Sequence, residues 1–199
     1  DVLDADALYL HLNPLQEAVQ PEGDTNFKDI VAKISQVSSA LSVPVMLKEV
    51  GGGLAPADVQ LGLQAGITHF DIAGSGGTSW SRIEHQRRVN KQDDLGLTFQ
   101  DWGIPTPLAL KLMAPYQTQA TFVSSGGVRD GIDMAKSVIL GASICGVAAP
   151  FLHPAMESAE AVIDVIERLR REFLTAMFLL GMPDVASLFR NESLILEER

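Results

Sequence analysis

Along the chain, short apolar runs alternate with longer segments whose apolar residues return every three or four positions. The runs at 7–12, 43–50, 68–72, 120–123 and 143–147 are short and apolar, and each predicts a strand. Between them, Phe27, Ile30, Val31, Ile34, Val37 and Leu41 fall on one helical stripe and predict a helix over 27–41. Pro44 opens the second strand, Gly51-Gly52-Gly53 closes it, and a helix over 56–65 is ended by Gly66. Further helices are predicted over 105–113 and 132–140, with a long helical tail over 154–180 and a short helix over 184–189. The stretch 79–101 is polar and long, a candidate active-site loop with some helix.

Five short strands, each separated from the next by helix, imply an α/β fold with parallel pairing and helices covering both faces of the sheet. Two architectures satisfy that grammar. One is an incomplete (β/α)8 TIM barrel, here about five βα units equivalent to strands 4 to 8. The other is an open doubly wound sheet of five strands. A complete barrel takes roughly 200 to more than 400 residues, whereas this chain has 199 and does not begin with methionine. The expectation is a single domain over 1–199, the C-terminal part of a barrel, with C-terminal helices from about 154.

The barrel reading draws on the segment 121–146. A strand runs into Ser124-Ser125-Gly126-Gly127-Val128-Arg129, then a helix, then a second short strand ending near Gly146. Glycines let a phosphate approach backbone N–H groups, and the following helix adds the positive end of its dipole. In (β/α)8 barrels such a site forms after strands seven and eight.

Composition narrows the partners. With 46% hydrophobic and 20% charged residues the chain can bury a sizeable core. Its formal charge of −10 argues against nucleic acid and anionic lipid, so an anionic ligand needs a local positive site. No apolar run reaches the roughly 18 to 20 residues of a membrane span, and no signal peptide is recognisable, so a cytoplasmic location is expected. The single cysteine, Cys145, is expected in a buried strand as a small core residue rather than a nucleophile.

Candidate chemistry gathers where strands give way to loops. His11, Asn13, Gln16 and Glu17 lie within seven positions where the first strand gives way to a loop, and there His11 and Asn13 can point the same way. An imidazole, two carboxamides and a carboxylate there can grip a polar head group, the carboxylate through Mg2+; as loop residues they can equally be solvated. Lys48 ends an apolar strand, either beside an anion or snorkelling to solvent.

These residues stand within a longer series: His11-Leu12-Asn13-Pro14-Leu15-Gln16-Glu17, Gln20-Pro21-Glu22-Gly23-Asp24, Lys48-Glu49-Val50-Gly51, Gly76-Gly77-Thr78-Ser79-Trp80 with Ile83-Glu84, Asp101-Trp102-Gly103-Ile104-Pro105-Thr106, and Ser125-Gly126-Gly127-Val128-Arg129. In this order they resemble the type 2 isopentenyl diphosphate isomerases, flavin-dependent enzymes of isoprenoid synthesis. The resemblance covers nearly the whole chain but lacks the family's upstream flavin-binding and diphosphate-binding segments.

The resemblance implies a 1,3-allylic proton shift converting isopentenyl diphosphate to dimethylallyl diphosphate, with reduced FMN as the acid–base group, Mg2+ on the diphosphate and NADPH or NADH as reductant. It implies that His11, Asn13 and Gln16 bind substrate, that Gln16 and Glu84 assist catalysis, and that Glu17 holds the metal. Lys48, Thr78, Gly127, Val128, Arg129, Ala148 and Ala149 would bind FMN. Glu84 can otherwise be a surface acid, and Arg129 can pair with Asp130 or Asp133. The resemblance further implies a homo-oligomer, tetramer or octamer. The alternatives are another FMN-dependent barrel oxidoreductase acting on 2-hydroxy acids, and an inactive phosphate-binding or assembly fragment.

Overall fold

The computed structural model describes residues 4–88 and 92–196. Five strands, β1 Leu8–His11, β2 Val45–Lys48, β3 His69–Asp71, β4 Thr121–Ser124 and β5 Ile144–Cys145, form one parallel sheet in the order β1-β2-β3-β4-β5. Between β1 and β2 run α1 Pro14–Val19 and α2 Ile30–Ala40, and between β2 and β3 runs α3 Pro56–Gln64. The β3–β4 connection holds α4 Trp80–Arg87, α5 Leu95–Thr98 and α6 Thr106–Leu112, with residues 89–91 outside the described part. Then α7 Gly131–Ile139 precedes β5, and α8 Pro154–Glu157, α9 Ala159–Leu179 and α10 Val185–Leu188 follow it.

Strictly sequential order removes the doubly wound alternative, which requires a point where strand order reverses. It also corrects the expectation of two covered faces, because crossovers of one hand, always advancing the same way, deposit their helices on one side. Strand parity makes this visible: Val45, Leu47, Phe70, Ile72 and Phe122 join Ile34, Val59, Leu110 and Met113 in the main core. Phe70 and Phe122 stack with centroids 5.9 Å apart. The sheet approaches α3 so closely that a Cβ on Gly62 would lie 2.5 Å from the Phe70 ring. The opposite face carries a different set. In register across β1, β2 and β3 lie Tyr9, Met46 and His69, then His11, Lys48 and Asp71.

Three expectations fail at the C-terminal end. The fifth strand pairs over only two residues, and Cys145 is half-buried rather than buried; burial still pushes its thiol up to about 11. The long tail breaks at Ser158, whose extended backbone starts a new helix and whose Oγ accepts the Ala161 N–H at 3.1 Å, capping α9. That helix and α10 close a second core on α7, around Val138, Met177 and Leu188.

Candidate active site

Pro14 at the first position of α1 and Asn13 as its cap explain why a helix starts straight after β1. Asn13 Oδ1 accepts the Gln16 N–H at 3.0 Å, and Asn13 is buried. This cap turns Gln16 toward α4, where its Nε2 donates to Glu84 Oε1 at 2.8 Å. Glu84 is 2% exposed, and Arg87 Nη1 donates to both of its oxygens at 3.1 Å. Residues 68 positions apart thus share a hydrogen bond, and α4 is itself started by Ser79, whose Oγ accepts the Arg82 N–H at 3.4 Å.

Glu17, one position on, is half-buried and turned back on its own loop, with Oε2 accepting from Gln20 Nε2 at 2.9 Å and from the Asp24 N–H at 2.8 Å. Its Oε1 has no hydrogen-bond partner among the described residues. No cluster of three or more His, Cys, Asp or Glu side chains is arranged to hold a metal among the described residues. A single carboxylate oxygen suits Mg2+ only when phosphate oxygens and water complete the octahedron. His11 is exposed on the helix-free face in register with Lys48, apart from the hydrogen bonds that join Asn13, Gln16 and Glu84.

Lys48 stands beside two acids that motif reasoning left without a role. Glu49 is buried, and its Oε2 accepts the N–H groups of Val50 at 2.5 Å, Gly53 at 3.2 Å and Gly52, pinning the triple-glycine turn. Burial raises its pKa, opposed by those N–H groups and the Lys48 charge. Asp71 Oδ1 accepts Ser125 Oγ–H at 2.6 Å and the Ala73 N–H at 3.2 Å. Burial raises its pKa too, against Ser125, Lys48 and the Ala73 amide. An acid at a strand end reads as solvated in sequence; only the register, which makes Lys48 and Asp71 neighbours, reveals otherwise.

The loops after β2 and β3 enclose a cavity of about 630 Å3, lined among others by Asn13, Leu15, Gly51, Gly76, Thr78, Trp80 and Trp102. A smaller one, about 170 Å3, lies over Gly126, Gly127, Val128 and Arg129, and Ser75 and Gly76 line both. Gly126 and Gly127 have φ of +90° and +91°. A Cβ on Gly126 would sit 2.1 Å from Gly74 O, so the two glycine loops touch through backbone. Thr106 Oγ1 donates to Gly126 O at 2.6 Å, holding that carbonyl inward. The N–H groups of Gly127, Val128, Ala148 and Ala149 meet no acceptor among the described residues, a set of donors that fits a phosphate. Arg129 Nη1 donates to Gly127 O at 2.9 Å and Nη2 to Gly76 O, clamping the loops together. Its guanidinium pairs with neither Asp130, which caps α7 through the Asp133 N–H at 2.8 Å, nor Asp133, which accepts the Arg129 backbone N–H at 3.3 Å.

A family model described as FMN-dependent dehydrogenase matches residues 14–195. The chain belongs to the FMN-dependent dehydrogenase family. Within known proteins it is similar to isopentenyl-diphosphate delta-isomerases. It is 63% identical over 196 residues to that of Hydrogenovibrio crunogenus, covering 98% of this chain and 57% of the relative. With the enzyme of Paracoccus zeaxanthinifaciens the identity is 58% over 199 residues, with the same coverage. The chain therefore spans 57% of the length of these relatives. Among solved structures, a flavocytochrome b2 mutant with pyruvate bound matches with a TM-score of 0.66 at 20% identity, over 100% of this chain and 52% of that one. Mandelate oxidase with benzoyl-formic acid gives 0.56 at 24%, over 80% and 42%. These two share the fold of this FMN-dependent dehydrogenase family chain.

Proposed function

We propose that the chain is the catalytic C-terminal portion, strands 4 to 8, of a single-domain (β/α)8 barrel that isomerises isopentenyl diphosphate to dimethylallyl diphosphate with FMN and Mg2+. The observation that carries this reading is the 2.8 Å hydrogen bond from Gln16 to buried Glu84, which unites two motifs of a chain 63% identical to an isopentenyl-diphosphate delta-isomerase. Family membership supports FMN as the cofactor.

Bound and reduced, FMN supplies proton-transfer chemistry and electron density next to the alkene. The chain's own residues do the rest. The N–H groups of Gly127, Val128, Ala148 and Ala149 take the FMN phosphate, and Arg129 keeps the two glycine loops at the spacing this requires. Lys48 would offer its positive charge from the sheet face to the negative charge of reduced flavin, and Thr78 would contact the cofactor from the large cavity. Glu84, held by Arg87, fixes the Gln16 carboxamide so that it can hold or pass a proton beside the alkene. His11 and Asn13 line the substrate site, Asn13 also ordering Gln16. Glu17 offers its free oxygen to Mg2+ on the diphosphate. NADPH or NADH would serve as the reductant, and the protein would work as a cytoplasmic homo-oligomer.

The test is NMR of 13C-labelled isopentenyl diphosphate incubated anaerobically with the full-length protein, FMN, Mg2+ and NADPH. Conversion to the allylic isomer is expected, with turnover falling about a hundredfold or more in Glu84→Gln. Flavin reduction by a 2-hydroxy acid without isomerisation would instead place the protein with the oxidases of its fold.

A further inference from the structure

Asp71 has no part in the roles above, yet it is set in the middle of the helix-free face. Its β3 position is in register with Lys48 on β2, which is in register with His11 on β1, so three ionisable side chains form one row across adjacent strands. The carboxylate is not loose. Oδ1 accepts Ser125 Oγ–H at 2.6 Å from the end of β4 and the Ala73 N–H at 3.2 Å from its own loop, where Ala73 takes the left-handed φ of +41°. Among the described residues Lys48 has no direct ion pair, so the two charges are coupled through space.

We infer that Asp71 is a positioning residue for Lys48: anchored by Ser125 and the Ala73 N–H, it is the fixed counter-charge that holds the lysine ammonium directed along the sheet face. The chemistry follows from where each group sits. An ammonium at a half-buried strand end loses hydration, and an opposite charge on the next strand compensates for it. A short serine donor fixes the carboxylate's direction, so the compensation has a geometry. Other charged groups face the same row. Glu49 adjoins Lys48 in sequence, but its Oε2 is committed to three backbone N–H groups. His11 and Tyr9 lie on β1, and the Tyr9 phenol is pushed up by burial and by the Asp71 charge.

The functional consequence rests on the flavin reading of Lys48, but the primary test does not. Brief acylation of the full-length protein with an amine-directed reagent at fixed pH, quantified by peptide mass spectrometry, reports on Lys48 directly, with Lys28, Lys33, Lys111 and Lys136 as internal references. Asp71→Asn keeps an acceptor for Ser125 and Ala73 and removes only the charge. It is therefore expected to raise Lys48 acylation by about threefold or more relative to the references. Ser125→Ala, which keeps the charge but frees its direction, is expected to give a smaller rise. It decides the matter if Asp71→Asn does not fold. Unchanged Lys48 acylation in the folded variant overturns the inference.

With FMN bound, Asp71→Asn is expected to lower the flavin midpoint potential when Lys48 is present and to leave it unchanged in a Lys48→Met background. An equal shift in both backgrounds means that Asp71 acts on the flavin directly, and this too overturns the positioning role. A protein that binds no FMN defeats the proposed function while the acylation result still judges Asp71.

Discussion

Glu17 and Asp71 are carboxylates in opposite situations, and each makes a prediction about a single side chain. Glu17 uses one oxygen to hold the turn at Gln20 and Asp24 and leaves the other without a partner among the described residues. Glu17→Gln preserves an acceptor for the Asp24 N–H but removes the charge a hard cation needs. The full-length enzyme carrying it is expected to need at least about tenfold more Mg2+ for half-maximal turnover, with the fold unchanged. An unaltered Mg2+ titration would remove Glu17 from the proposed metal site. For Asp71 the outcome is written in pH. Burial raises its folded-state pKa above the ordinary carboxylate range, against Ser125, Lys48 and the Ala73 amide. Between the unfolded and the raised folded pKa the native state binds more protons than the unfolded chain, so stability falls as pH rises through that window. Glu49 contributes with the same sign, while Asp93, Asp184 and Glu160, whose pKa values are lowered by hydrogen bonds, contribute stability that is lost as pH falls. Comparing Asp71→Asn with the parent cancels the other groups. Urea unfolding from about pH 4 to pH 7 is expected to show a smaller loss of stability with rising pH in the variant. Identical pH profiles would mean that Asp71 carries no such burden.

Helices and loops set how far these side chains are legible in the sequence. The helix predicted over 56–65 is found as α3 Pro56–Gln64, because proline at its first turn and Gly66 at φ +84° beyond its end are local signals. The break in the tail helix is hidden because apolar spacing continues through Ser158, and only the serine's cap hydrogen bond shows where one helix ends. The fifth strand reads too long because an apolar run records burial and not how many residues find a neighbour to pair with. In the site, the string from His11 to Glu17 is visible as a polar cluster, and resemblance joins Gln16 to Glu84. The cap that orients Gln16 and the acids flanking Lys48 depend on register and contacts between distant segments. Gly126 is readable as a phosphate glycine, but its contact with the loop after β3 is not. Gly126→Ala probes that contact, since the new Cβ meets Gly74 O at 2.1 Å at a φ of +90°, and neither backbone can yield cheaply. The expected loss is about 3 kcal/mol of stability in chemical denaturation, together with weaker FMN binding. A variant as stable as the parent would show that the two loops separate freely.

For the molecule as a whole, the governing fact is a sheet covered on one side. Helices α2, α3 and α6 bury one face, while the other presents Tyr9, His11, Lys48 and Asp71. The sheet also has two margins, and apolar side chains lie along both: Leu8 and Tyr9 on β1 are 36% and 46% exposed, and Ile144 on β5 is 57% exposed. Unpaired parallel strands with apolar margins pair with other chains, and further exposed apolar residues on α9, among them Phe178 and Leu179, enlarge the adhesive surface. The relatives this chain matches are longer, the chain spanning 57% of their length. In the proposed barrel both margins meet further strands. The 199 residues produced alone are therefore expected to self-associate, as measured by light scattering against concentration, whereas the full-length protein forms a discrete species. Leu8→Lys with Ile144→Lys places a charge on each margin and is expected to reduce that scattering. A monodisperse monomer from the unmodified 199 residues would mean that the margins are already protected, and the five strands would then stand as a unit without barrel closure.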